Sequence, residues 1–250
     1  MEKRTKSAIL TGAARGIGKA IAVRLAGDGY GLTLLDVLAE ELEAAAREVG
    51  GRRENLVQTL GIDVSKSKQV DDAVKAHLER FGGIDLLVNN AGILAKGSCE
   101  ETSDEIWDQI LQVNLYGPFF LCRAVIPHMK KQKRGVIVNI SSKAARSFTP
   151  FGGVSYAASK TGLLGLTRQL AHELAPYRIR VNAVCPGGTE TPLARTLRTP
   201  EEMERTSRAL PLGRLGQPED VAAGVAFLAA DDAAYITGVT LDINGGTLMV

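Results

Sequence analysis

The sequence predicts an α/β domain built on a parallel sheet with helices covering both faces. Three observations carry that reading. Seven short apolar runs of strand length recur along the chain. Longer segments with a repeating apolar face lie between them, and no repeat, low-complexity tract or linker breaks the alternation. Strands spaced by helix-length segments are the mark of βαβ units, and runs that are almost continuously apolar suit strands buried on both faces. With 250 residues, 45% of them hydrophobic, the chain can bury one large core and is read as a single domain, 1–250.

The elements follow in order. SAILT (7–11) is the first strand, and the glycine-rich TGAARGIGKA (11–20) leads from it into a helix over 17–27. GLTLLD (31–36) is the second strand, followed by an amphipathic segment at 38–49. NLVQTLGID (55–63) and DLLVNN (85–90) flank a helix over 67–81 whose apolar positions recur at helical spacing. GVIVNIS (135–141) and IRVNAVCP (179–186) flank a helix over 155–174, and GVTLDI (238–243) closes the set. The stretch 189–217 is different. It is polar, carries Pro192, Pro200 and Pro211, and contains no strand, so it reads as a long excursion with short helices and a binding loop or lid at about 188–216.

Composition excludes several classes. A formal net charge of +2 gives no reason to expect nucleic acid, and the basic cluster Lys130, Lys131, Lys133 and Arg134 suits a solvated turn before a strand. No unbroken apolar run approaches the roughly 18 residues of a membrane span. The opening MEKRTKSAILTG passes from charges directly into a strand, unlike a secretory signal. Cys99, Cys122 and Cys185 are too few and too scattered for a disulfide framework, which suits the cytoplasm. His77, His128 and His172 are far apart and lack metal-ligand spacing, so no metal site is expected.

Two groups of residues suggest chemistry. Gly12, Gly16 and Gly18 follow the first strand in a G-x-x-x-G-x-G spacing. Missing side chains there permit a tight turn and let phosphates approach the N–H groups of a helix N-terminus. The turn is not a nucleoside-triphosphate loop, because that pattern would put its first glycine at Ala13 and its hydroxyl at Ala20. Asp36 ends the second strand, and a carboxylate there can accept hydrogen bonds from an adenosine ribose while repelling a 2′-phosphate. NAD is therefore expected over NADP, with Arg15 as the one cation near the turn that pulls the other way. Second, Tyr156 and Lys160 stand four residues apart, on one face if the segment is helical. A phenol with a pKa near 10 is a poor proton donor or acceptor at neutral pH. A nearby ammonium favours the phenolate, and bringing the phenol to about 7 asks for roughly 4 kcal/mol. The same pair could equally be a surface ring resting on a lysine stem.

The ordered set T-G-x-x-x-G-I-G at 11–18, Asp63-Val64, N-N-A-G at 89–92, Asn114, the serine of NISS at Ser142, Y-x-x-x-K at 156–160, and Pro186-Gly187 followed by Thr191 resembles the short-chain dehydrogenase/reductase family, in its compact branch, over essentially the whole chain. The resemblance implies a Rossmann-type doubly wound fold with a seven-stranded parallel sheet and a homotetramer assembled through long helices and the C-terminal strand. It implies Tyr156 as general acid/base, Lys160 holding the nicotinamide ribose and lowering the phenol's pKa, Ser142 orienting the carbonyl (with Ser141 the alternative), and Asn114 in a proton relay. It implies a cofactor site made of Gly12, Arg15, Gly16, Ile17, Gly18, Asp36, Asp63, Val64, Asn90, Ala91, Gly92, Tyr156, Lys160, Pro186, Gly187, Thr189 and Thr191. The chain departs from the family pattern in a Ser142-to-Tyr156 gap one residue longer than usual, in Thr189, and in Asn244 before Gly245-Gly246.

The expected activity is an NAD-dependent interconversion of a secondary alcohol and a ketone, with small diols or hydroxyketones, polyols and cyclic ketones favoured. The alternative is a 3-oxoacyl-thioester reductase using NADPH, and a remote one is a non-catalytic NAD-binding regulator. A sugar-nucleotide epimerase would use the same Tyr/Lys pair but needs a larger C-terminal substrate domain. Phe119, Phe148 and Phe151 are candidate apolar walls. Arg195, Arg198, Arg205 and Arg208, interleaved with Glu201, Glu202 and Glu204, read as a solvated helix face.

Overall fold

The computed structural model describes residues 5–51 and 56–249. Seven strands form one all-parallel sheet: β1 (Ser7–Thr11), β2 (Gly31–Asp36), β3 (Val57–Gly61), β4 (Leu86–Asn89), β5 (Gly135–Ile140), β6 (Ile179–Pro186) and β7 (Thr240–Ile243). Their spatial order is β3-β2-β1-β4-β5-β6-β7. All seven predicted strands are present; β1, β2 and β6 match their runs and β3, β4, β5 and β7 are shorter than theirs, while the expected start of the third, Asn55, lies outside the described residues.

Strand side chains alternate between the two faces. Ala8, Leu10, Leu32, Leu34, Leu86 and Val88 join a core with helices α1 (Gly16–Gly27), α2 (Ala39–Gly50) and α9 (Pro218–Ala229). Ile9, Leu35, Leu87, Ile137 and Val181 join the opposite core with α3 (Ser67–Phe81), α5 (Gly117–Gln132) and α6 (Gly153–Leu174). Both faces are dry, so the strands carry apolar residues at successive positions.

The chain winds from β1 out to β3, returns beside β1 as β4, and then winds the other way to β7. At that reversal, between β1 and β4, connections leave the carboxyl ends of adjacent strands in opposite directions and open a crevice, the usual ligand position in sheets of this type.

Two regions differ from the sequence expectation. Residues 104–132 form one uninterrupted helical run: α4 (Asp104–Leu111), a π-turn (Gln112–Tyr116) and α5. Pro118 follows directly on the π-turn and Pro127 lies further inside the helix, so both are within the continuous run. By length and composition this run is apolar enough to cross a membrane. In the fold, Leu121, Cys122, Val125 and Met129 bury against the sheet, and Asp104, Glu105, Asp108 and Arg123 are exposed. The other region is α9, whose apolar residues lack a clear polar face because much of the helix is buried against α1.

The excursion contains α7 (Pro192–Arg195) and α8 (Pro200–Ala209), and its base is closed by a bridge between Thr189 and Gly216. Thr199 and Glu202 cap α8 reciprocally, so the helix is sharply started despite its polar composition.

Candidate active site

The glycine turn is held by a frame of polar contacts. Thr11 ends β1, and its hydroxyl accepts the N–H groups of Asn90 and Ala91, each at 2.9 Å. Asn90 returns two hydrogen bonds, from Nδ2 to the carbonyls of Thr11 (3.0 Å) and Gly12 (2.9 Å). Gly12 has φ +64°, and a Cβ there would stand 2.8 Å from Ala91 Cα. Gly18 lies against Gly12 so closely that a Cβ would fall 1.9 Å from the Gly12 carbonyl oxygen. No side chain caps the N-terminus of α1, and Gly16, Ile17 and Gly18 line the cleft there. Free N–H groups at a helix start, reached over glycines, suit a diphosphate.

Asp36 serves the same turn. Its Oδ2 accepts the N–H of Ala14 at 3.0 Å and its Oδ1 that of Leu38 at 3.1 Å, so the carboxylate locks the turn to the end of β2. It also lines the cleft, as does Arg15, whose half-exposed guanidinium is 3.8 Å from Glu41. Asp63 caps its own turn by accepting the Ser65 N–H, and Val64 packs under Gly117. On the other bank, Gly187 comes within van der Waals range of Asn244, and its N–H donates to Ile243 at 2.9 Å. Thr189 is buried, and Thr191 caps α7 by accepting the Ala194 N–H at 3.1 Å.

Tyr156 and Lys160 fall one turn apart on α6, as their spacing predicts, with the Lys160 Nζ 5.8 Å from the Tyr156 ring centroid. Lys160 is buried and donates to the Ile140 carbonyl at 2.9 Å. Burial lowers its pKa to about 8. Burial pushes the Tyr156 phenol above its usual value, and a side-chain hydrogen bond with Ser142 opposes that shift. This differs from the expectation that Lys160 brings the phenol down. Desolvation dominates both groups, so the phenol is held protonated at neutral pH.

The two candidate serines separate cleanly. The Ser141 hydroxyl is buried and donates to the Lys160 carbonyl at 2.9 Å, tying β5 to α6. Both line the cleft, but it is Ser142 that accepts the Ala144 N–H at 3.1 Å and shares a side-chain hydrogen bond with Tyr156. The longer gap to Tyr156 is taken up by a 3₁₀ turn at Lys143–Ala145 and a loop that ends on Gly153 at φ +61°.

Every sequence-predicted site residue except Asn114 lines one cleft of about 450 Å³. Asn114 sits behind it, fully buried in the π-turn. Its Oδ1 accepts the Ile93 N–H at 2.9 Å, and its Nδ2 donates to the Ile93 carbonyl (2.8 Å) and to Ser159 (3.1 Å). The side chain is thus committed to bracing the chain after β4, and a relay through this residue would have to use its main chain. Single π-turns inside helices are frequent at functional sites.

Sequence reasoning missed Thr11, Ser159 and the wall formed by Leu94, Thr149, Leu193 and Leu197. Thr11 was detectable as the hydroxyl residue at a strand end before the glycine turn. Ser159 lies on α6 one residue before Lys160, and the wall residues are brought in by the excursion and by loops without a pattern of their own. Of the candidate aromatic walls, Phe151 lines the cleft, whereas Phe119 is exposed on α5 and Phe148 is exposed on its loop.

These features test whether a dinucleotide fits. Glycines whose side chains would collide with backbone, an uncapped helix start, and a carboxylate at the end of β2 share one cleft with the Tyr156–Lys160 pair. The residues present fit the group, and the glycine turn, the helix start and Asp36 are the parts of this cleft that would hold it.

Comparison with known proteins points the same way. A family model described as enoyl-(acyl carrier protein) reductase matches residues 12–247. The chain is 40% identical over 245 residues to a 3-oxoacyl-(acyl-carrier-protein) reductase FabG of Thermotoga maritima, covering 98% of each chain. Among solved structures, a 3-ketoacyl-(acyl-carrier-protein) reductase from Brucella melitensis complexed with NADH superposes with a TM-score of 0.89. It is 38% identical, with 96% of this chain and 97% of that one covered. An actinorhodin polyketide ketoreductase with NADPH superposes with a TM-score of 0.92 at 35% identity, covering 97% of each.

Proposed function

The chain belongs to the short-chain dehydrogenase/reductase family and is an oxidoreductase, and from that premise we propose that it is a ketoreductase acting on 3-oxoacyl compounds with NADH. The observation that carries the reaction type is the convergence of Tyr156, Ser142 and Lys160 in the cleft that also holds the glycine turn and Asp36. The names of the similar proteins favour the 3-oxoacyl alternative over the small diols, polyols and cyclic ketones expected from sequence alone.

When bound, the dinucleotide supplies the hydride. Tyr156 gives its phenolic proton to the carbonyl oxygen as that oxygen gains charge, and Ser142 donates a hydrogen bond to the same oxygen. Lys160, one turn along α6, stabilises the phenolate left behind. The excursion 188–216 acts as the lid over this site.

An assay at 340 nm with NADH and NADPH separately tests the reading. An acetoacetyl thioester is expected to be reduced and a crotonyl thioester is not; the reverse pattern would place the chemistry at a carbon–carbon double bond instead.

Asp36→Ala tests the cofactor preference. The variant is expected to lose roughly tenfold or more in affinity for NADH, through lost hydrogen bonds to the ribose. Loosening of the Ala14 and Leu38 N–H contacts affects both cofactors alike, so the ratio of NADH to NADPH binding isolates the ribose effect. An unchanged ratio removes Asp36 from cofactor choice.

A further inference from the structure

Arg198 stands apart from Arg195, Arg208 and Arg214 of the excursion, which are paired, and from Arg205, which is exposed. Arg195 pairs with Glu190 at 2.7 Å, Arg208 with Glu204 at 2.5 Å and Arg214 with Asp220 at 2.7 Å, the solvated pairing expected of a polar helix face. Arg198 lies between α7 and α8, and its guanidinium carbon is 3.8 Å from the ring centroid of Phe151. Its Nε is buried and has no hydrogen-bond partner among the described residues. Glu202 acts on it electrostatically, but that carboxylate is also engaged in capping α8 through the Thr199 N–H.

The placement of this cation is informative. Phe151 and Arg198 both line the cleft. The next residue, Gly152, is packed so tightly on Tyr156 that a Cβ would lie 2.6 Å from the ring. Consecutive residues thus link the two groups, Phe151 stacking on the guanidinium and Gly152 packing on the Tyr156 ring. Lys160 and Arg198 are the charged side chains that line this part of the cleft; the lining carboxylates, Asp36 and Asp63, follow β2 and β3 on the far side of the glycine turn. A planar cation stacked on an aromatic face, with a donor left unmet, is preorganised for a planar anion. A buried donor that finds no acceptor is also unfavourable, so an acceptor on the ligand gains from meeting it.

We propose that Arg198 is a specificity-determining residue that takes a carboxylate a few bonds from the carbonyl served by Tyr156, so that short free 3-oxo acids bind in preference to their neutral counterparts. This rests on the ketoreductase reading for the position of the carbonyl and extends it by assigning the charge of the substrate.

Acetoacetate and its neutral analogue acetoacetamide are the probes, titrated calorimetrically into the NADH-saturated enzyme. Wild type is expected to bind acetoacetate about tenfold or more tightly than acetoacetamide. Arg198→Gln is expected to erase that ratio and Arg198→Lys to restore part of it, since an ammonium keeps the charge but not the planar fork. A ratio near one in wild type, a ratio that survives in Arg198→Gln, or binding of neither compound overturns the assignment. So does a parallel loss of NADH affinity in Arg198→Gln, which would place the guanidinium on the cofactor. Reduction of acetoacetamide and of an acetoacetyl thioester by wild type at 340 nm is read separately. Failure there, with the binding ratio intact and dependent on Arg198, would sink the reductase reading and leave the anion site standing.

Discussion

Tyr156→Phe is expected to lower kcat by about 10²- to 10⁴-fold, the range for loss of a positioned general acid, while NADH still binds. Three features make this a clean substitution. The ring packs edge-on against Gly152, and phenylalanine preserves that contact. Asn114, Ser159 and Lys160 make their hydrogen bonds to backbone or to each other rather than to the phenol, so the frame of the site survives. What disappears is one hydroxyl, with its proton and its bond to Ser142. Steady-state turnover at 340 nm and a fluorescence titration with NADH read the two halves. A variant that keeps more than a tenth of wild-type turnover would remove Tyr156 from the acid/base role.

Gly18→Ala has an effect of similar size and a different origin. The added methyl would fall 1.9 Å from the Gly12 carbonyl oxygen and 2.6 Å from Asn90 Nδ2. Neither the backbone of the turn nor the doubly bonded Asn90 side chain can retreat without breaking the contacts that hold β1 to the residues after β4. Overpacking of this kind typically costs about 1–3 kcal/mol. Because the helix start must shift, kcat/KM is expected to fall by about 100-fold, the scale of a misplacement near 1 Å. Gly27→Ala, at the other end of the same helix, is the control: a Cβ there meets nothing within 4 Å. Thermal melting together with NADH titration compares the two. If Gly18→Ala behaves like Gly27→Ala, the close packing of the turn is not what shapes the cofactor cleft.

Much of this was legible in the sequence, for identifiable reasons. Strands buried on both faces produce unbroken apolar runs such as LLV at 86–88, which stand out without any partner information. The Tyr156–Lys160 geometry is local, set by one turn of α6, so spacing alone predicts it. The glycine turn, too, follows from chain order. Residues that gain their meaning from distant contacts were harder to see. Asn114 reads like any helix asparagine until Ile93 and Ser159 are brought to it. Ser141 and Ser142 are neighbours of one type that both line the cleft, and only their partners, the Lys160 carbonyl for one and Tyr156 for the other, distinguish them. Arg198 was grouped with a solvated face because its charge pattern matches that of its neighbours; its contact with Phe151 spans 47 positions of sequence, from 151 to 198. The direction of the Tyr156 shift differs from the expectation because burial of both groups, invisible in spacing, is the largest cause acting on each.

The strand order carries a last consequence, for how the molecule comes into being. Because β1 is an interior strand, β2 and β3 extend the sheet outwards on one side of it in the order in which they are made, and β4 to β7 extend it on the other. No strand has to be inserted between two that already pair. A growing chain can therefore lay down each strand against a finished edge, with the domain's N-terminal part available first as a template. Helix α6, which carries Tyr156 and Lys160, arrives only after β5 is in place, and Asn244, which closes on Gly187, is among the last residues to appear. In the order of synthesis, the cradle for the phosphates is laid down well before the bank that completes the cleft.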